Sequence, residues 1–255
     1  MAFEHIKLEV RDGLATLTLC REPLNVLNIA MMAEMNQALD SLMGQGVKIL
    51  LIKAEGKAFS AGVDVGEHLG DQASQMIGTF HGIFRRMDAL GAVSVASVQG
   101  AALGGGCELA VYCDLVVASQ KAKLGQPEIM VGVFPPIAAL VFPRQIGLKK
   151  ALELIVTGDT IGAQEAQSLG LVNQVVPPEE LENATQALVG KLMNLSGLVL
   201  KLTKKAFVQG LKESDTEDAL KKIEKVYLEE LMTSHDAEEG LKAFLEKRRP
   251  VWQEK

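Results

Sequence analysis

The chain opens with alternating apolar and polar residues. His5–Val10 and Leu14–Leu19 read as two strands, with Arg11-Asp12-Gly13 as the turn of a hairpin. The period then lengthens. Met32, Met35, Leu39 and Leu42 recur at helical spacing within Ile29–Met43, and Gly44 and Gly46 stop that helix. Val47–Lys53 is almost continuously apolar, the pattern of a strand buried on both faces. A similar unit follows. Residues 74–90 are predicted helical, with Met76, Phe80, Ile83, Phe84 and Met87 on one side, and Val93–Val98 is a second buried strand. A glycine-rich turn leads into a short helix from about Gly106 to Tyr112. Leu115–Ser119, Lys123–Gly125 and Asn173–Val176 are further strands.

Strand and helix therefore alternate through about residue 176, an α/β pattern. The strands are short and the helices uneven, which fits a coiled stack of strand-strand-helix units better than a regular barrel. From Pro177 to Lys247 only helices are predicted, with breaks near Asn194–Gly197, Gly210–Ser214 and Thr233–Asp236. Their apolar stripes suit either a neighbouring subunit or the chain's own core.

Composition narrows the function classes. Of 255 residues, 48% are hydrophobic, enough for a sizeable core, and the net charge of −6 offers no broad basic face for nucleic acid. The three cysteines are odd in number and form no CxxC pair, as expected of a reduced, cytoplasmic protein. MAFEHIKLEV lacks the apolar stretch of a signal peptide, and no apolar run is long enough for a membrane span.

Two glycine-bearing segments follow buried strands: Lys57-Ala58-Phe59-Ser60-Ala61-Gly62-Val63-Asp64, and Gly100-Ala101-Ala102-Leu103-Gly104-Gly105-Gly106-Cys107-Glu108. Strand-to-helix turns leave backbone N–H groups unpaired where the helix dipole favours negative charge. Two such groups aimed at one point would make an oxyanion hole. The glycines suit tight turns and close packing equally well. Nucleotide-phosphate signatures are absent, Ser60 lacks the nucleophile elbow, and His5, His68, His81 and His235 have no metal-ligand spacing. Cys107 reads as a small packing residue. Glu108 and Glu128 each precede apolar residues, a setting that raises a carboxyl pKa and suits general acid/base work. Each alone also reads as an ordinary helix-start charge or turn residue.

Taken in order, FSAGVD, QGAALGGGCELAVYCD, GQPEIMVGVFP, TGDTIGAQEAQSLGLVNQVVP and EEGLKAFLEKRRPVW resemble the crotonase (enoyl-CoA hydratase/isomerase) family over nearly the whole chain. The resemblance implies a spiral of repeated ββα units (residues 1–195) holding the acyl-CoA site, and a C-terminal helical region (residues 196–255) that builds a trimer or a dimer of trimers. It implies an acyl-CoA thioester as substrate and no cofactor or metal beyond the substrate's own coenzyme A. Carried over by motif, the N–H groups of Val63 and Gly105 form the oxyanion hole and Glu108 and Glu128 are the two acids that hydrate the double bond. Ala61, Gly62, Asp64, Gly104 and Pro136 contact substrate, with Asp64 and the FSAG backbone near the adenine. The resemblance also implies that basic residues near Lys247–Arg249 touch CoA phosphates, on this subunit or an adjacent one.

Two departures bear on the acyl group. Pro136 stands where the family usually has the first glycine of a P-G-A-G-G run, and the loop Arg21–Asn28 is about a residue shorter than usual. Both features, in VGVFPPIAALVFPR and PLNVLNIAMM, are similar to the cyclic-dienoyl-CoA hydratases. Double-bond isomerisation, and acyl-CoA or RNA binding without turnover, are the competing functions.

Overall fold

A computed structural model describes residues 3–255; Met1 and Ala2, ahead of the expected first strand, lie outside the described residues. β1 (Ile6–Arg11) and β2 (Leu14–Leu19) form the predicted hairpin, one residue later than expected at its first strand. Asp12 and Gly13 make its turn with φ of 51° and 87°. α1 (Ile29–Ser41) is capped by Asn28, whose side chain accepts from the Met31 N–H. β3 (Ile49–Ala54) follows, then a 3-10 turn (Val65–His68), α2 (Gln72–Leu90), β4 (Val93–Val98), β5 (Ala101–Leu103) and α3 (Gly105–Tyr112). β6 (Leu115–Ser119), β7 (Lys123–Gly125), a second 3-10 turn (Pro127–Val131), α4 (Pro136–Ile146) and α5 (Leu148–Thr157) come next. β8 (Thr160–Gly162), α6 (Ala163–Leu169) and β9 (Gln174–Val176) end the mixed part. α7 (Leu181–Met193), α8 (Gly197–Lys212), α9 (Thr216–Lys225, continuing as a π-helical segment, Val226–Leu231) and α10 (His235–Leu245) are helical, as predicted.

Six strands form the larger sheet in the order β1-β2-β3-β4-β6-β9, parallel except for the hairpin. β5, β7 and β8 form a smaller sheet, which Ser60 extends through a bridge to Ala102. The chain thus passes repeatedly from the larger sheet to the smaller one and then into a helix: β3, Ser60, α2; β4, β5, α3; β6, β7 and the helices beyond. This is the spiral of ββα units that the sequence resemblance implies.

β3 shows why its sequence is apolar throughout. Leu50 and Ile52 face the main core with Met32, Met35, Phe80 and Ile83, whereas Ile49 and Leu51 face Val95 and Val189 on the other side. Two expectations need correction. The glycine-rich turn contains a strand, β5, and α3 begins at Gly105 rather than Gly106. Between β7 and β9, strict alternation gives way to three helices and one short strand, β8. Strands of three residues are too brief to display a period of two.

Candidate active site

The two glycine-bearing turns lie side by side. Phe59 N–H and Ser60 N–H donate to Ala101 O at 2.9 and 3.1 Å, and Leu103 N–H returns a bond to Ser60 O at 2.9 Å. Such proximity requires glycine: a Cβ on Gly100 would fall 2.1 Å from Lys57 O, and one on Gly106 would fall 2.4 Å from Ser60 O. The buried Asn25 holds the neighbouring loop, its amide donating to Glu55 O and Ala58 O at 2.8 and 2.9 Å. Ser60 Oγ donates to Asn25 O at 2.7 Å and accepts from Gly62 N–H. Its hydroxyl is therefore committed to the backbone, which removes it as a nucleophile.

Packing these turns together brings two backbone donors close. Leu27 N–H bonds Gly62 O and Asp64 N–H bonds Leu27 O, on either side of Val63, whose own N–H donates to no described residue. Gly104 N–H bonds Gly125 O, and Gly105 N–H, first in α3, likewise has no acceptor among the described residues. A Cβ on Gly62 would stand only 3.7 Å from the Gly105 nitrogen.

Glu108 lies in the first turn of α3 and is only 2% exposed. Its Oε1 accepts from Ala138 N–H at 2.8 Å, in the first turn of α4. Burial pushes its carboxyl up to about 8, against the opposing effect of the Ala138 N–H; the Glu128 charge adds to the rise. Pro136 is the first residue of α4, a position where a missing N–H costs nothing, so the chain still offers the Ala138 amide to Glu108.

Glu128 sits on the 3-10 turn that follows β7. Burial raises its pKa too, and its Oε2 is buried with no hydrogen-bond partner. A Cβ on Gly104 would approach Glu128 Oε1 to 2.6 Å, so that glycine, with φ of 51°, both makes the turn and leaves room for the carboxylate.

Both carboxyls, Val63, Gly105, Ala61, Gly62, Gly104 and Pro136 line one cavity of about 710 Å³. The remainder of its wall is largely apolar, with α2 on one side and residues 130–134 on the other. Asp64 is not on this wall; its side chain caps the 3-10 turn through Gly66 N–H at 2.9 Å. Arg248 is held by Glu239 and Glu246. The Cys107 thiol is wholly buried, and burial pushes its pKa up, so it is a packing group. Sequence reasoning misses the α2 contribution: it gives Met76 and Phe80 only as one side of a helix, and His81 only as a histidine without metal spacing. Its place next to Phe80 on an otherwise apolar helical stripe was the available signal.

The two-sheet spiral agrees with comparison to known proteins. Residues 9–255 match the model of the enoyl-CoA hydratase/isomerase family, and the chain belongs to that family. Among its relatives, the cyclohexa-1,5-dienecarbonyl-CoA hydratase of Thauera aromatica is 38% identical over 95% of this chain and 94% of its own. The crotonyl-CoA hydratase of Syntrophomonas wolfei is 36% identical over 98% of each. A crystal structure of an enoyl-CoA hydratase from Mycobacterium smegmatis superposes with a TM-score of 0.91 at 32% identity, covering 98% of this chain and 99% of that one.

Proposed function

We propose that this enzyme adds water across the double bond of an α,β-unsaturated acyl-CoA thioester. The observation that carries the reading is the cavity itself: two carboxyls with raised pKa values and two unused peptide N–H groups open onto the same apolar space. The thioester carbonyl accepts from Val63 and Gly105 N–H, which stabilise the negative charge that develops on its oxygen; one such donor contributes on the order of 10²–10³ in rate. Glu108 and Glu128 hold the attacking water. One ionised carboxylate removes its proton, and the other carboxyl, Glu128, protonates the adjacent carbon. Proton transfer and enolate stabilisation complete this chemistry, so the reading includes no cofactor beyond the substrate's coenzyme A.

The reading assigns the acyl-CoA site to residues 1–195 and assembly into a trimer, or a dimer of trimers, to residues 196–255. The apolar side chains left on the surface of that helical region, Phe207, Leu228, Phe244 and Leu245 among them, support an assembly role. Three free cysteines suit a reducing cytoplasm.

Loss of the enoyl-thioester absorbance measures the reaction. Glu108→Gln and Glu128→Gln should each lower kcat by about 10²–10⁴; full activity in both variants would refute the two-carboxylate mechanism. The Thauera relative favours a second reading, the same chemistry on a cyclic dienoyl thioester. That reading expects kcat/KM on cyclohexa-1,5-diene-1-carbonyl-CoA to exceed kcat/KM on crotonyl-CoA, and the reverse order excludes it.

A further inference from the structure

Among the described residues, the side chains bordering the cavity are apolar except for the two carboxyls and two histidines, His68 and His81. Glu108 and Glu128 handle the water and its protons. His81 keeps its Nε2 buried, out of a ligand's reach. His68 is different. Its Nδ1 donates to Asp64 O at 2.9 Å, while its Nε2 bonds no described residue and stays accessible.

His68 ends a 3-10 turn that is anchored twice. Asp64 Oδ1 accepts from Gly66 N–H at 2.9 Å, and Glu67 Oε2 accepts from Ile29 N–H at 2.7 Å at the start of α1. The imidazole is therefore presented from a fixed backbone, which suits recognition. A carbonyl oxygen can only accept, so the bond to Asp64 O keeps a hydrogen on Nδ1. In the neutral ring Nε2 then holds the lone pair. It takes a hydrogen-bond donor, such as a hydroxyl, and refuses a ketone.

The ring also stands at a useful distance. Asp64 directly follows Val63, and backbone dimensions keep its carbonyl oxygen within roughly 7 Å of the Val63 nitrogen. His68 Nδ1 is thus within roughly 10 Å of the amide assigned to the thioester carbonyl, the span of a ring-sized acyl group. Val65 and the α2 residues Ala73, Met76 and Ile77 border the same cavity. They supply the apolar surface of an acyl pocket, in which one well-placed acceptor sets orientation.

We propose that His68 is a specificity-determining residue whose Nε2 accepts a hydrogen bond from a hydroxyl already carried by the acyl group, away from the carbon that receives water. The substrate is then a hydroxylated enoyl thioester, one oxygen richer than the diene named for the Thauera relative. This rests on the acyl-CoA reading of the cavity.

Saturated thioesters test it, because they bind without reacting. Titration calorimetry would compare cyclohexanecarbonyl-CoA with its 2-hydroxy, 3-hydroxy, 4-hydroxy and 4-oxo derivatives. The 2-position is the one that hydration would fill. The wild type should bind a 3- or 4-hydroxy ring about tenfold more tightly than the parent, the scale of one neutral hydrogen bond. The 4-oxo ring should gain nothing. His68→Leu should bring the hydroxyl ratio to near one, and His68→Gln, whose amide oxygen can accept, should restore part of it. Equal binding across the panel, preference for the 2-hydroxy compound alone, or preference for the 4-oxo compound would overturn the proposal. So would a ratio that survives His68→Leu, including an equal loss for every thioester, which would place the contact on the coenzyme arm. Absence of turnover on every enoyl-CoA, with the ratio and its loss in His68→Leu intact, would sink the hydratase reading and leave the His68 assignment standing. No binding of any thioester would remove both.

Discussion

The two carboxyls of the cavity stand on very different supports. Glu108 is on α3, where every residue from Gly105 to Val111 is buried and the Ala138 amide fixes one carboxylate oxygen. Glu128 is on a single 3-10 turn, beside Met130, which is 70% exposed, and close in sequence to Phe134, which is 67% exposed. One wall is built into the core; the other is a thin rim packed on one side. A buried support fixes geometry, since close-packed interiors resist displacement. A thin rim can change its side chains at little cost to folding. The contrast thus puts one acid of the proposed reaction, Glu108, on a fixed support and the other, Glu128, on the rim.

Substitutions can break or sharpen this contrast. The largest effect is expected at Gly104→Ala, where both walls meet. The new Cβ would press on Glu128 Oε1 at 2.6 Å, on a backbone with φ of 51°. kcat should fall by about 10² or more, the scale of losing a positioned acid, with roughly 1–3 kcal/mol of lost stability. Steady-state kinetics alongside urea unfolding would check both, and an unaltered kcat would show that Glu128 has room to move.

Next in size is a pH effect confined to the buried wall. Burial pushes the Glu108 carboxyl up to about 8 in the fold, well above an ordinary glutamate. Below the unfolded value both states hold the proton. As pH rises, the unfolded chain gives up its proton first, so stability falls until the folded carboxyl ionises near 8 and then levels. Glu108→Gln removes this loss. Its stability relative to the wild type should therefore grow between about pH 4.5 and 8, by roughly a few kcal/mol. Urea midpoints that run parallel across that range would contradict the raised pKa. In the wild type, with Glu108 as the ionised base, kcat/KM should rise as the pH approaches about 8 and fall where Glu128 loses its proton.

The smallest effect on folding is expected at the rim. Met130→Ala and Phe134→Ala should shift stability by no more than about 0.5 kcal/mol, as exposed substitutions usually do, while changing KM for bulky acyl groups. A large drop in unfolding midpoint would mean that the rim is a second rigid support.

The same division governed what could be read from the sequence. β3 and β4 were legible because strands buried on both faces are continuously apolar. α1, α2 and the C-terminal helices showed their period over several turns. β5 and β8, at three residues each, were too short to leave a pattern, and the 3-10 turn beneath Glu128 has no periodicity of its own. The motif resemblance singled out Glu108 and Glu128, but not the Ala138 amide that holds Glu108, because that contact joins α3 to α4 through the fold. His81 enters the sequence reading only as a histidine without metal spacing, because a lone polar residue in an apolar stripe also fits an ordinary helix.

The buried Asp236 has a practical consequence. It accepts from Ser196 Oγ at 2.5 Å and from the N–H groups of Gln253 and Glu254 at 2.7 and 3.0 Å. Glu254 in turn pairs with Lys48 just before β3 and accepts from Leu198 N–H in α8. The last residues are thus a seam stitched between the sheet and the helical arm. A substitution at Asp236 would unpick that seam from its middle.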